Sequence, residues 1–338
     1  MDHSPSPERP LHGWLVIEKP VGPGSTNIVS AVKRALREGC YPKTKVGHGG
    51  TLDPLASGVL PVAIGEATKL CGRMLDSDKE YDFTIRFGEE TDTLDAEGQV
   101  IETSSVRPRR EQVEHVLDRF RGPQEQVPPA FSALKIAGRR AYDLARSGAT
   151  VELPSRAIVV IRLGLLSAIP VRSEDGLPPI DFSGGSIRSL FDHQRAAHAG
   201  KYERVCEISL YARVSKGTYI RSLARDIAVA LGTVGHVAML RRTKAGRFTL
   251  ASAISLDKLS ELAKARSLEQ ALLPLTAGLD DIPALPVTPD QAGALRQGRG
   301  LAGIAAKPGL HLATEGSVPV ALVELREGEL RVVRGFNI

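Results

Sequence analysis

Aromatic side chains are scarce: Phe, Trp and Tyr together make up 4% of 338 residues. A nucleic-acid site on such a chain rests on charge more than on a broad stacking platform. Cysteine is rarer still. Cys40, Cys71 and Cys206 are scattered and odd in number, which argues against a disulfide framework and suits a reducing compartment, here expected to be the cytoplasm. No C-x-x-C occurs, and His193 and His198 miss the H-E-x-x-H spacing of a zinc helix, so no metal is expected. No apolar run is long enough to span a bilayer, so no membrane association is expected. Residues 1–11 are polar and Pro-rich with no apolar stretch. They read as a disordered tail and not as a signal peptide.

The length suits two domains, or one large domain with an appendage. The net charge of +5 modestly favours an anionic partner. The local imbalance is sharper. Between Lys201 and Arg247 ten Lys or Arg residues face only Glu203, Glu207 and Asp226. Such a segment lines a phosphate-binding groove or forms a solvated basic face, and composition does not choose between them.

Hydrophobic periodicity gives a first map. Trp14 to Ile17 reads as a buried strand, followed by a helix capped by Ser25, Thr26 or Asn27 with the stripe Val29, Val32, Leu36. Val59 to Ile64 is a second buried strand, and Glu66 to Leu75 a helix. Tyr81, Phe83, Ile85 and Phe87 alternate as a half-buried strand, and Gly88 to Gly98 is a long acidic loop into the next strand. Val113, Val116, Leu117 and Phe120 mark an amphipathic helix. Ala157 to Leu166 and Cys206 to Val214 are strands on either side of a Gly/Pro/Ser-rich surface insertion at 171–201. A helix then carries Ile220, Leu223 and Ile227. Leu273 to Pro289 reads as a linker, and beyond it lie a short helix and two strands, Val318 to Leu325 and Glu329 to Val333. Strands and helices mix without regular βαβ alternation. The expected fold class is α+β.

Three segments carry candidate chemistry. In EKPVGPGSTNIV, Lys19, Pro20, Gly22 and Gly24 lack the phosphate-loop pattern. They form either a turn that brings the backbone close to something else or a plain strand-to-helix turn. In GHGGTLDPLASG, Pro54 biases Asp53 away from helix, so the carboxylate projects from a stiff extended loop anchored by the strand after it. That presentation aims a nucleophile or base, and an inert Asp-Pro turn has the same pattern. In SKGTYIRSLARD, Arg221 and Arg225 share a helix face, where a guanidinium can pair with a carboxylate and hold it ionised, with Tyr219 displayed at the helix start.

Taken together these segments resemble the bacterial tRNA pseudouridine synthases of the TruB type. GHGGTLDPLASGVLPVAIGEATK is similar to that family's catalytic motif. DSDKEYDFTIRFGEETDTLDAEG, PPAFSALKIAGRRAYDLARSG, SKGTYIRSLARDIAVALG and GHVAMLRRTKAGRF resemble four further segments, in the family's order. The similarity covers roughly residues 12–275. Gly49 stands where the family usually carries a hydroxyl or similar residue, KPVGPGST is one residue longer than the family's motif, and the 171–201 insertion is longer than expected.

The resemblance implies a mostly antiparallel central sheet with flanking helices at 12–275, and a small β-rich, PUA-like domain at 283–338. It implies isomerisation of uridine 55, in the T loop of tRNA, to pseudouridine, after the base is flipped out. Asp53 matches the essential nucleophilic carboxylate. Attack at C1′, addition to the base and a glycal route all remain open. Arg221 matches the partner of that Asp. Tyr81 matches the aromatic that stacks on the base and assists proton removal, His48 the residue that fills the space left in the loop, and Tyr219 and Leu240 further pocket walls. No cofactor is implied. The partner is the T stem-loop of tRNA, with no protein partner required and a monomer expected.

Three rivals stand beside this reading. A non-catalytic tRNA-binding or folding chaperone would keep the fold, and an RNA-guided synthase with protein cofactors would share the motifs. A glycoside hydrolase would pair Asp53 with Glu66.

Overall fold

The computed structural model describes residues 10–132, 134–136, 139–142, 153–171, 203–279 and 281–338. The expected tail therefore lies outside the described residues except for Pro10 and Leu11, and Leu11 is already buried in the core. The insertion expected at 171–201 also lies outside them, apart from Val171.

The chain opens with β1 (Gly13–Lys19) and α1 (Ser25–Glu38), followed by β2 (Val46–His48) and β3 (Ser57–Ile64). The cap of α1 is Gly24, and no side chain caps it. Ser25 lies inside the first turn because its hydroxyl is taken up elsewhere: it donates to Leu52 O and accepts from Leu52 N. The helix expected from Glu66 to Leu75 is two pieces, a 3₁₀ stretch Gly65–Leu70 and then α2 (Cys71–Asp76).

β4 (Lys79–Phe87) is central and not half-buried. Besides Phe83, Ile85 and Phe87, it buries Asp82 and Thr84 on its other face. The acidic loop after it contains a hairpin, β5 (Glu89–Thr91) paired with β6 (Val100–Thr103). Its tip is folded by its own polar groups, with Asp92 Oδ1 accepting from Gln99 N and Asp95 Oδ1 from Glu97 N. Period-two hydrophobicity does not signal strands held this way.

Next come α3 (Arg110–Arg119), β7 (Gly122–Gln126), the short pair β8 (Lys135–Ile136) and β9 (Arg139–Arg140), and β10 (Arg156–Pro170). After the undescribed segment follow β11 (Val205–Val214), α4 (Ile220–Ala230), β12 (Gly235–Ala245), β13 (Phe248–Thr249), α5 (Leu256–Lys264) and β14 (Leu273–Pro274).

These strands build one ten-stranded sheet with the main order β14-β1-β3-β12-β4-β11-β10-β7. Its pairings are antiparallel except for the short parallel contact of β12 with β3, where Arg242 lies opposite Gly58. Gly58 has φ of +101°, and a Cβ there would meet the Arg242 carbonyl oxygen, so only glycine lets these strands touch. That contact joins the two halves of the sheet beside Asp53.

A second, five-stranded sheet follows. It runs β15 (Ala284–Pro286), β17 (Gly309–Glu315), β18 (Val318–Arg326), β19 (Glu329–Gly335) and β16 (Leu301–Ala302), with α6 (Pro289–Arg296) against it. The fold is thus α+β with a β-rich C-terminal region. The segment expected as a linker is firmly packed. Leu275, Leu279 and Ile282 join Trp14, Phe248 and Phe336 in one buried cluster, and Trp14 Nε1 donates to Leu275 O. These Leu and Ile side chains are buried, while Pro274, Pro283, Pro286 and Pro289 stay exposed.

Candidate active site

Asp53 sits in the loop between β2 and β3, and neighbouring segments hold that loop by its main chain. Arg242 Nη2 donates to Gly50 O and Nη1 to Thr51 O, both at 3.2 Å. Ser25 takes both the N–H and the carbonyl of Leu52. Ala56 N donates to Asp53 O. Pro54 O accepts from Gly22 N at 2.9 Å and from Lys19 Nζ at 3.2 Å. Every carbonyl from Gly50 to Pro54 therefore has a donor. The KPVGPGST segment is the turn that brings the backbone close to something else, and that something is the Asp53 loop.

Lys19 is fully buried and gives its three protons to Pro20 O, Pro23 O and Pro54 O. Burial pushes its ammonium down to about 8, against the pull of the Asp53 and Glu97 carboxylates, while Arg242 adds to the fall. Glu97, on the β5–β6 hairpin, is pushed up by burial and by the charges of Asp95 and Asp53.

The carboxylate of Asp53 is 37% exposed and faces Arg221, whose Nη2 lies 3.0 Å from Asp53 Oδ2. Arg221 is buried at the first turn of α4. Its guanidinium is divided between two carboxylates, since Nη1 lies 3.5 Å from Asp95 Oδ2. It also donates to Thr93 O at 2.7 Å and Phe131 O at 2.9 Å. Asp95 is itself buried, and its Oδ1 accepts from the Thr93 hydroxyl and Glu97 N. A guanidinium held by these three other partners faces Asp53 in one direction.

Tyr219 caps α4. Gln126 at the end of β7 takes its N–H at 2.8 Å and donates to its carbonyl at 3.1 Å. The Arg156 guanidinium lies 5.7 Å from the centre of its ring. Burial pushes the phenol up, with Arg156 opposing. Tyr81 on β4 and Leu240 on β12 stand on adjoining strands: Arg242 is in register with Tyr81, and Leu240 with Phe83. Leu240 is buried, and Tyr81 packs half-buried against the same core.

His48 ends β2, and its Nδ1 accepts from Gly50 N at 3.4 Å. Burial and the nearby Arg242 push its imidazole below the usual value. With Thr26, Lys45, Thr68 and Cys71 it lines a groove of about 400 Å³.

The structure thus brings Asp53 and Arg221 together, with Tyr219 at the start of the helix that carries Arg221, while Tyr81 and Leu240 stand on the adjoining strands β4 and β12 and His48 at the end of β2, before the Asp53 loop. Sequence reasoning missed Asp95 and Gln126, and saw Lys19 only as part of a turn and Arg242 only as one of a basic run. Neither Asp95 nor Gln126 carries a local signal, because their partners, Arg221 and Tyr219, lie far along the chain.

Among the described residues of the basic segment 201–247, several cations are paired or buried. Arg213 pairs with Asp78, Lys216 with Asp76, Arg241 with Glu18 and Arg225 with Asp226, while Arg221 and Arg242 are buried. Glu66, the rival second carboxylate, accepts from Lys69 Nζ and from Asn337 N near the C-terminus. Among the described residues no three His, Cys, Asp or Glu side chains cluster as a metal site. Among them, too, no helix is long and apolar enough to cross a membrane.

Residues 37–174 match the TruB family pseudouridylate synthase N-terminal domain, and residues 221–280 match the tRNA pseudouridylate synthase B C-terminal domain. A protein from Novosphingobium aromaticivorans named tRNA pseudouridine synthase B is 56% identical over 328 residues, covering 97% of this chain and 98% of its own. One of the same name from Zymomonas mobilis is 54% identical over the whole of both chains. The chain belongs to the TruB family of pseudouridylate synthases. Solved structures agree on the fold. An H/ACA RNP bound to a substrate RNA containing 2′-deoxyuridine superposes with a TM-score of 0.63 at 22% identity, covering 96% of this chain and 85% of that one. A Cbf5–Nop10–Gar1 complex gives 0.63 at 23%, covering 96% and 84%. At those identities the likeness concerns fold alone. Residues 281–338 of this TruB-family chain fall beyond both matched family segments.

Proposed function

We propose that this chain isomerises a uridine in the T loop of tRNA, position 55, to pseudouridine. The observation that carries the reading is the ion pair of Asp53 with Arg221, at 3.0 Å, inside a loop whose backbone is held throughout. The reaction breaks the N1–C1′ bond, forms a C5–C1′ bond, removes the proton from C5 and leaves one on N1. Asp53 is the essential nucleophilic carboxylate, acting at C1′ or on the base. Arg221 pairs with it and fixes its direction. Tyr81 stacks on the flipped base and serves in removing the C5 proton. Tyr219 and Leu240 wall the uridine pocket, and His48 fills the space the base leaves in the loop.

The protein works in the cytoplasm as a monomer, without a protein partner or cofactor. Residues 12–275 form the catalytic domain and 283–338 a PUA-like domain that adds RNA contacts. The family relationship and the preassembled carboxylate–guanidinium pair favour this reading over a chaperone on the same fold. The test uses purified protein alone with an unmodified tRNA transcript carrying tritium at C5 of its uridines. Turnover releases about one tritium per tRNA. A protein that binds the transcript and releases none is a chaperone, and one that needs added proteins or a guide RNA belongs to the RNA-guided class.

A further inference from the structure

The sequence places Arg242 in the basic run that either lines a phosphate-binding groove or forms a solvated face. Its side chain is 1% exposed, so no phosphate reaches it. Among the described residues no carboxylate lies within ion-pair reach of it. All three guanidinium nitrogens instead donate to main-chain carbonyls of one short stretch: Nε to Val59 O at 2.8 Å, Nη1 to Thr51 O and Nη2 to Gly50 O. A buried cation without a counter-ion is costly, and here carbonyl dipoles alone compensate it. The carbonyls stand on both sides of Asp53, two in the loop before it and one in the strand after it. The planar fork matches three fixed acceptors in a way an ammonium cannot.

The strand that carries Arg242 also locates the rest of the site. Leu240 is two residues away on β12, without a bulge between them, so both side chains leave the same face of the sheet. Tyr81 is the register partner of Arg242 on β4. The Gly58 contact sets β3 directly against Arg242.

We propose that Arg242 is a positioning residue for pseudouridine formation: its guanidinium fixes the Asp53 loop to the strand pair that carries Tyr81 and Leu240. The inference rests on the functional reading above. The guanidinium touches neither the reacting atoms nor Asp53 itself. It sets the distance between the carboxylate on one segment and the aromatic on another, and a misplacement near 1 Å costs about a hundredfold in rate.

The test compares wild type with Arg242→Lys and Arg242→Gln in single-turnover kinetics at saturating enzyme, with tRNA affinity measured as a function of salt. The expected result is a rate about a hundredfold lower in the folded variants, with affinity within about threefold and an unchanged salt slope. Wild-type-like turnover in folded variants would overturn the proposal, as would a normal saturated rate with a shallower salt slope, the mark of a phosphate contact. If neither variant folds, hydrogen exchange on the wild-type protein decides. The amides of the Asp53 loop and the Arg242 Nε–H should exchange together at the slowest, global rate, and loop amides opening far faster than the Nε–H would refute the clamp. An inactive wild type contradicts the functional reading instead, so the two failures are distinguishable.

Discussion

Arg221 Nη2, from the first turn of a helix late in the chain, lies 3.0 Å from Oδ2 of Asp53, which an early loop presents. The same guanidinium lies 3.5 Å from Asp95 and donates to two main-chain carbonyls. Replacing it by lysine keeps the charge and loses the fork. Arg221→Lys is expected to cost about a hundredfold in single-turnover rate, on the order of 3 kcal/mol, with tRNA binding retained. Turnover near the wild-type rate would remove Arg221 from the catalytic pair.

Asp95 holds Arg221 from the other side and is buried. In Asp95→Asn the guanidinium loses its second anionic partner while Thr93 O and Phe131 O still hold it. A rate loss of about tenfold is expected, smaller than that of Arg221→Lys. An equal loss in both would show that Arg221 depends wholly on Asp95 for its orientation.

Much of this was legible in the sequence, for physical reasons. Val113, Val116 and Leu117 form the buried stripe of α3 because that helix buries one face, and the apolar alternation of β11 marks one of its faces, although Glu207 and Ser209 on the other face are buried as well. Asp53 was legible because Pro54 and the glycines before it constrain the backbone. Arg242 was misread, because a run of basic residues does not reveal which side chain turns inward. Asp95 and Gln126 were illegible because their partners, Arg221 and Tyr219, lie far away in the chain. The strand after the acidic loop is β6, whereas β5 and its pairing escaped because side-chain hydrogen bonds, not apolar alternation, shape the hairpin tip.

Lys19 gives a pH signature. Its folded value near 8 lies below the ordinary 10.5, so between these values the unfolded chain binds the proton more strongly than the folded one. The contribution of this group to stability is therefore fully present above 10.5 and is lost as pH falls through about 8. Urea unfolding of wild type and Lys19→Met from pH 7.5 to 10.5 should show wild type gaining on the variant as pH rises. A difference that stays flat across that window would contradict the assignment.

Gly49 stands where the resemblance implies a hydroxyl or similar residue, and Met74 lies against it. A Cβ at position 49 would lie 2.5 Å from Met74 Cγ and 2.9 Å from Met74 Cβ. Gly49→Thr should destabilise the protein by about 1–3 kcal/mol through overpacking. Met74→Ala added to it should recover part of that loss, measured by thermal unfolding in a double-mutant cycle. Strict additivity of the two changes would show that they do not share this space.

The central claim is that the Asp53 carboxylate carries out the isomerisation. An amide is nearly isosteric but a poor nucleophile and a poor base. The most direct measurement maps pseudouridine, nucleotide by nucleotide, in an unmodified tRNA transcript after one turnover with excess purified wild type or Asp53→Asn. Wild type should convert position 55 alone, and Asp53→Asn should bind the transcript with similar affinity and convert nothing. Conversion at that position by Asp53→Asn at a rate near that of wild type would contradict the account.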